Sequence, residues 1–237
     1  MDKNITKARA YFYEFLAYPL FFHTSDEKFA RWREQLSYLA QNPLSEQSAE
    51  AFANLEEFSF KELVNEQNEV LFGFTNIPLS ASFYEEGRDN GAARLRVIHC
   101  LNLSPYRRDK ELCKDSEDYV GFIFLAMATF LNDEFNGAKN ISDKLFNETL
   151  NLFVDEFGSL LLAHKNANFF RSYALILKDF IELERAVLSV EAPAKPQGDS
   201  VAMAALKKEP FQSKMPTIKT KLHWEEFSPV ISHEFKD

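Results

Sequence analysis

The chain has 237 residues, of which 46% are hydrophobic, and its formal net charge is −9 at pH 7. This length allows one substantial core plus an appendage, and the negative charge makes the chain a poor candidate for binding the phosphate backbone of nucleic acid. A basic peptide is a better electrostatic match. The 24 phenylalanines and only 7 glycines favour helices packed through aromatic rings over sheets.

Two features indicate a cytoplasmic protein. Cys100 and Cys113 form no CxxC pair, so we expect reduced thiols. The first residues lack the uninterrupted apolar stretch and small-residue cleavage site of a signal peptide. No other stretch reaches the length of about 20 apolar residues that a membrane-spanning helix needs. We therefore predict no stable membrane insertion.

Apolar residues spaced three and four apart predict a series of amphipathic helices. Pro19 ends the first of them. Ser59 and Glu62 have the spacing of a capping box, in which each side chain accepts a hydrogen bond from the backbone of the other, and they open the fourth. In chain order the predicted ranges are 5–18, 25–42, 45–58, 59–73, 90–101, a central helix, 142–164 and 167–190.

The segment between the fourth and fifth of these helices, residues 74–87, reads FTNIPLSASFYEEG and is predicted to be a loop. It contains more apolar side chains than a solvated loop needs, among them Phe74, Leu79 and Tyr84. These side chains either fold back onto the core or form a binding surface. The residues alone leave both alternatives open.

The central helix lies in the stretch LCKDSEDYVGFIFLAMATFL, residues 112–131. Asp115 and Ser116 are good N-cap residues. Asp115, Glu117 and Asp118 also place negative charge near the positive end of the helix dipole. The residues after them leave almost no polar face, which is typical of a helix buried on nearly all sides. The acids either serve the helix start alone or also form a functional cluster.

At Glu191 the composition changes to EAPAKPQGDS, which is typical of a linker. We therefore predict an all-α domain over residues 1–190, followed by a linker and extended tail over residues 191–237. The tail contains seven lysines and seven acids, so the net charge belongs to the helical domain. Its aromatic residues follow no helical period, which favours an extended strap or a segment that orders on contact.

Common catalytic and cofactor motifs are absent from the sequence. It has no GxxxxGK phosphate loop, no GxGxxG, no GxSxG, no HExxH and no CxxC pair. We predict no cofactor and no metal site. A helical enzyme using Asp115, Glu117 and Asp118 stays as a less favoured alternative, and so does a general adaptor that binds a folded partner.

The runs EVLFGFTNIPLSASFYEE and KDSEDYVGFIFLAMATFL together resemble the paired motifs of the TorD/DmsD/NarJ-type redox-enzyme maturation chaperones. The first family motif is a helix ending in Leu-Phe-x-Gly, then a proline-containing loop that closes on Ser-x-Tyr/Trp. The second, Glu-Pro-x-Asp-His-x-Gly, corresponds to residues 115–121. Here Asp115 replaces Glu, Ser116 replaces Pro and Tyr119 replaces His, so any role that requires an imidazole is lost. With FLAYPL and ANFFRSYALIL, the likeness covers most of residues 5–190.

This resemblance implies an all-α, non-enzymatic, cytoplasmic chaperone, monomeric or weakly dimeric. Its expected partner is the signal peptide or N-terminus of a molybdenum oxidoreductase subunit. The chaperone would hold that subunit back from twin-arginine export until the cofactor is inserted. Such a leader is basic and then apolar, so its receptor needs an apolar groove bordered by acids. The implied peptide-binding residues are Phe72, Phe74, Pro78, Leu79, Ser82, Tyr84, Asp115, Glu117, Asp118, Tyr119 and Phe122. Formate dehydrogenase is our candidate client, and a nitrate, sulfoxide or amine-oxide reductase is an alternative.

Overall fold

The computed structural model describes residues 3–23, 25–73, 76–194 and 197–207, and these residues are overwhelmingly helical. The helices are α1 (Lys3–Ala17), α2 (Glu27–Ala40), α3 (Glu46–Glu56), α4 (Phe60–Val70), α5 (Ala81–Glu86), α6 (Ala92–Asn102), α7 (Val120–Phe135), α8 (Ser142–Leu145), α9 (Asn151–Ala163), α10 (Phe169–Leu188) and α11 (Val201–Leu206). A 3₁₀ turn (Tyr18–Leu20) follows α1, and a π turn (Phe146–Leu150) joins α8 to α9. No strand occurs in the described residues, which confirms the predicted all-α class.

The buried centre of the molecule is the contact between α1 and α7. As the sequence predicts, α7 is buried on nearly all sides, although Leu125 is 40% exposed. A buried polar network also ties α1 to α10. Arg9 Nε donates to Glu184 Oε1 over 2.6 Å, and the Tyr13 hydroxyl donates to Glu184 Oε2 over 2.8 Å. These partners satisfy charges that would be strongly unfavourable alone inside the core.

Local capping chemistry sets several helix starts. The capping box predicted at Ser59 is confirmed, since Ser59 N donates to Glu62 Oε2 over 2.8 Å and Ser59 Oγ accepts from Glu62 N over 3.3 Å. The start of α10 is capped by a side chain that is distant in the sequence. Both carboxylate oxygens of Glu66 on α4 accept from the backbone N–H groups of residues 168–170, over 2.8–2.9 Å. Those donors have no partner inside the first turn of the helix.

Two element predictions were wrong at their boundaries. The predicted loop 74–87 contains the short helix α5, and α7 begins at Val120 instead of directly after Asp115 or Ser116. The N-cap of α7 is Tyr119, which makes no side-chain capping bond. Asp115, Glu117 and Asp118 therefore lie before the helix rather than in its first turn, and their side chains have other partners.

Residues Met1–Leu206 form one compact unit, and Lys207–Asp237 form a second, of which only Lys207 is described. Within the first unit α11 packs against α5, with Ala202 fully buried. This short helix lies in the region predicted as linker and tail. The boundary at Glu191 stays a prediction about independent folding, and the predicted conformation of residues 208–237 lies outside the described residues. No helix in the described ranges is both long and apolar enough to cross a membrane.

Candidate functional site

The two motif segments of the sequence lie side by side in the structure. Ser80, just before α5, and Tyr119, just before α7, form an isolated antiparallel bridge. The Ala81 N–H donates to the carbonyl oxygen of Asp118, and the Val120 N–H donates to that of Leu79, each over 2.8 Å. The bridge explains why α7 starts at Val120, because the backbone just before it is extended to pair with the other segment.

The fully buried side chain of Asp118 stabilises the same bridge. Its Oδ2 accepts from the hydroxyls of Ser80, over 2.7 Å, and Ser82, and its Oδ1 accepts from the hydroxyl of Ser116. Burial by itself would raise the pKa of the Asp118 carboxyl, but the hydrogen bonds from Ser116, Ser82 and Ser80 outweigh it and hold the pKa below its ordinary value. Asp118 is therefore a buried carboxylate that joins the two motifs.

Glu117 is held by two arginines of the chain itself. Its Oε2 accepts from Arg94 Nε over 2.7 Å and its Oε1 from Arg108 Nε over 2.9 Å. Arg108 also donates to the backbone carbonyls of residues 113–115 and so fixes the turn before the bridge. Burial would raise the pKa of Glu117, but the bonds from the arginines contribute to holding it below its ordinary value.

Tyr119, which stands where the family motif has histidine, connects the bridge to the end of the 3₁₀ turn. Its hydroxyl donates to the carbonyl oxygen of Leu20, and its ring centroid lies 5.4 Å from that of Phe21. Burial raises the pKa of this phenol well above its ordinary value. Gly121 is required beside these rings, because a Cβ there would lie 2.9 Å from Tyr119 Cε1 and 3.0 Å from Phe21 Cε2.

A surface groove of about 450 Å³ runs along the bridged segments, and we call it the motif groove. Its apolar lining residues are Leu71, Phe72, Leu79 and Tyr119. Its polar lining residues are Asn76, Ser80, Asp89, Asn90, Arg94, Arg108, Lys114, Asp115 and Ser116. The groove is thus more polar than the acid-bordered apolar groove that the sequence predicts.

The predicted site residues do not all line one surface. Phe72, Leu79, Asp115 and Tyr119 line the motif groove. Pro78, Ser82, Glu117 and Asp118 are buried beside it, where they hold the segments in place. Phe122 is half-buried, packs against the core and is not among the lining residues, while Phe74 lies outside the described residues.

Tyr84 belongs to the core rather than to a binding surface. Its hydroxyl donates to the carbonyl oxygen of Pro78 over 2.8 Å, and its ring stacks on Phe153 with 5.4 Å between centroids. Burial raises the pKa of the phenol well above its ordinary value. Of the two alternatives left open for this aromatic segment, Tyr84 follows the first and folds back onto the core.

The accessible acids of the groove differ from the predicted set. Asp89 and Asp115 are exposed lining residues, and their carboxylates accept no hydrogen bond from the described residues. Asp89 lies in the turn between α5 and α6, where the sequence carries no motif and the residues gave no signal. Glu117 and Asp118 are buried and already accept hydrogen bonds from internal donors, so they are not placed to meet an external arginine.

The alternative of a catalytic acid cluster needs a second titratable group beside Asp118. The side chains that donate to its carboxylate are serine hydroxyls, and each bond satisfies the carboxylate rather than leaving it free to take a proton. Among the described residues, no group of three or more His, Cys, Asp or Glu side chains is placed to hold a metal ion.

No family model matches the chain, and a search of curated proteins finds no significant match.

Proposed function

We propose that the chain is a cytoplasmic chaperone that binds the leader or N-terminus of a molybdoenzyme catalytic subunit during assembly, before twin-arginine export. The observation that carries this proposal is the bridge between the two motif segments. Residues 71–84 and 115–121, chosen from their resemblance to a family of such chaperones, are joined by backbone bonds and by Asp118, and border one groove.

The chemistry of the motif groove supports a ligand that is basic in one part and apolar in another. Asp89 and Asp115 offer exposed carboxylates to basic side chains, and Phe72 and Leu79 offer apolar surface. Exposed ion pairs contribute roughly 0–1 kcal/mol each and mainly speed the encounter. Burial of an aromatic side chain contributes about 1.5–3 kcal/mol. Most of the affinity is therefore expected from the apolar part.

Glu117 and Asp118 have a different part in this proposal from the one the sequence predicts. They shape the groove by holding the turn before α7 and the segment before α5 together. Their substitution is expected to change binding through the loss of structure, together with a loss of stability. Substitution of Asp89 or Asp115 is expected to change binding alone, because both side chains are exposed.

The first test is capture from the native cytoplasm with the tagged full-length chain. The proposal requires one molybdoenzyme catalytic subunit, with formate dehydrogenase our first candidate, in its cofactor-free form and with its leader intact. Capture of a folded, cofactor-loaded partner would instead support the adaptor alternative. The described residues carry no observation that favours that alternative over the chaperone.

The second test measures binding of a labelled synthetic peptide with two adjacent arginines followed by an apolar stretch. The variant Asp89→Asn/Asp115→Asn is expected to bind about three- to tenfold more weakly at low salt, and the difference should shrink as salt is added. Glu50→Gln is the matched control, because Glu50 is an exposed acid on α3 away from the groove. An equal effect of the control would contradict a specific role of the groove acids.

A further inference from the structure

The turn that follows α1, residues 18–23, is firmly built and borders the two motif segments. Gln67 Nε2 donates to the carbonyl oxygens of Pro19, over 2.7 Å, and Phe21, over 2.9 Å. The Tyr119 hydroxyl donates to the carbonyl oxygen of Leu20, which lies between them. Three consecutive carbonyls of the turn are thus satisfied by side chains from α4 and from the second motif.

His23 completes the turn. Its ring stacks on that of Tyr18, with 3.9 Å between centroids and 11° between planes. His23 Nε2 lies 2.8 Å from the Tyr18 carbonyl oxygen, which can only accept, so Nε2 carries the proton. The turn is therefore fixed on both sides of Phe22, and the direction of that side chain is set by the surrounding structure.

This turn directs Phe22 outward, and its side chain is 58% exposed. The ring meets Phe72 edge to face, with 6.2 Å between centroids, and Phe72 is itself 42% exposed and lines the motif groove. A single exposed apolar side chain is ordinary on a protein surface. Here two phenylalanines adjoin, one held outward by the built turn and the other lining the groove, and together they form a patch that favours an apolar partner.

We propose that Phe22 and Phe72 together bind the apolar side chains that follow the basic residues of the leader. This inference rests on the proposed function and extends the apolar part of the motif groove from Phe72 to Phe22 on the adjoining 18–23 turn. Charge complementarity selects the occupant. The basic side chains that line the groove are already paired with carboxylates of the chain: Arg94 and Arg108 with Glu117, and Lys114 with Glu111. The exposed acids Asp89 and Asp115 of the same groove accept no hydrogen bond from the described residues. A ligand that fits both features has basic residues next to apolar ones. Tyr119 is a positioning residue here, since it holds the turn through Leu20.

The test compares two labelled synthetic peptides by fluorescence anisotropy with the full chain. One has two arginines followed by leucines and alanines, and the other has the same arginines with serines in place of the leucines. Phe22→Ala is expected to weaken binding of the first peptide about tenfold, equivalent to about 1.4 kcal/mol, and to leave the second unchanged. Phe22→Leu, which keeps an apolar side chain, should retain most of the affinity.

Tyr38→Ala is the matched control, because Tyr38 is a 61% exposed aromatic residue on α2 outside the groove. If the wild-type chain binds neither peptide, the proposed function fails. If the wild type binds and Phe22→Ala binds the leucine peptide equally well, only this inference is overturned. An equal loss for both peptides would also overturn it, because Phe22 would then not act on the apolar part. Unchanged melting temperatures establish that the variants are folded.

Discussion

Replacement of Asp118 by alanine is expected to destabilise the folded chain by about 3–5 kcal/mol. The side chain is fully buried and accepts hydrogen bonds from Ser80, Ser82 and Ser116. A hydrogen bond to a charged group contributes about 1.5–3 kcal/mol. The three bonds are coupled through one carboxylate, so the expected total is less than their sum. The substitution would also remove the acceptor of the three serine hydroxyls.

Asp118→Asn should have a smaller effect, about 1–2 kcal/mol, because the amide keeps one acceptor oxygen and its NH₂ group can donate to a serine hydroxyl. Ser82→Ala removes one of the bonds and should fall in the same range. Asp115→Ala is the matched control. It changes an exposed acid in the same turn and should alter stability by less than about 0.5 kcal/mol.

The pH dependence follows from the lowered pKa of Asp118 in the folded chain. Because the folded pKa lies below the unfolded one, the contribution of the carboxylate is fully present above the unfolded pKa and is lost as the pH falls through the folded pKa. The stability difference between the wild type and Asp118→Asn should therefore shrink as the pH falls below the unfolded pKa of an aspartate, about 3.9.

These free energies are measured by urea denaturation followed through the helical circular dichroism signal. If Asp118→Ala lowers the free energy of unfolding by less than about 1 kcal/mol, the reasoning is refuted, because so small a loss is typical of a solvent-exposed charge at the start of a helix. If the difference in unfolding free energy between the wild type and Asp118→Asn stays constant across the acid range, Asp118 does not act as a buried, hydrogen-bonded carboxylate.

Three further predictions concern the helical body. Glu66→Ala should cost about 2–4 kcal/mol in urea denaturation, since it leaves three backbone N–H groups of α10 without an acceptor, whereas Glu69→Ala, an exposed change on the same helix, should cost less than about 0.5 kcal/mol. Glu184→Ala should cost about 3–5 kcal/mol, because the buried Arg9 guanidinium and the buried Tyr13 hydroxyl would both lose the carboxylate that they share, and a melting curve close to that of the wild type would contradict this. Deletion of residues 195–237 should leave a helical, cooperatively melting domain, with a melting temperature lowered by a few degrees because α11 no longer covers α5. An unfolded product would place the domain boundary beyond Glu191.

The helical class and several boundaries could be predicted because they depend on neighbouring residues. Pro19 cannot continue α1 as an ordinary helix, and the structure has a 3₁₀ turn there. Ser59 and Glu62 satisfy each other over a separation of three residues. Such signals act within one helical turn, so they are visible in a sequence without knowledge of the fold.

The start of α7 was mispredicted because a tertiary partner competed with the local one. Ser116 was expected to cap the helix and Asp118 to lie in its first turn, but their side chains bond to each other, and Asp118 also bonds to Ser80 and Ser82 near α5. Those serines lie 36 and 38 residues earlier in the chain. Nothing in residues 112–120 alone identifies that pairing.

The same reason explains why the accessible acids were assigned to the wrong side chains. Glu117 was expected to be accessible to a ligand, but Arg94 and Arg108 donate to it. Arg94 lies on α6 and Arg108 in the segment between α6 and α7, and the sequence does not show that either arginine contacts Glu117. The short helix α5 was missed because its six residues are too few to display a helical period. Local patterns therefore located the motif segments but did not show which side chains stay accessible.

The groove region has two buried acids and two exposed acids, and this difference has a physical consequence for the proposed site. Glu117 and Asp118 are held by internal donors, so ions in the solvent screen their interactions weakly, and their bonds should keep the groove in shape at high ionic strength. Asp89 and Asp115 are exposed, so any attraction they exert on a basic ligand falls as salt is added. The contact with Phe22 and Phe72 is apolar and should persist under the same conditions. Added salt should therefore affect the two steps of binding differently. The association rate constant should fall, because the attraction of the exposed acids is screened, whereas the apolar contact that slows dissociation should remain.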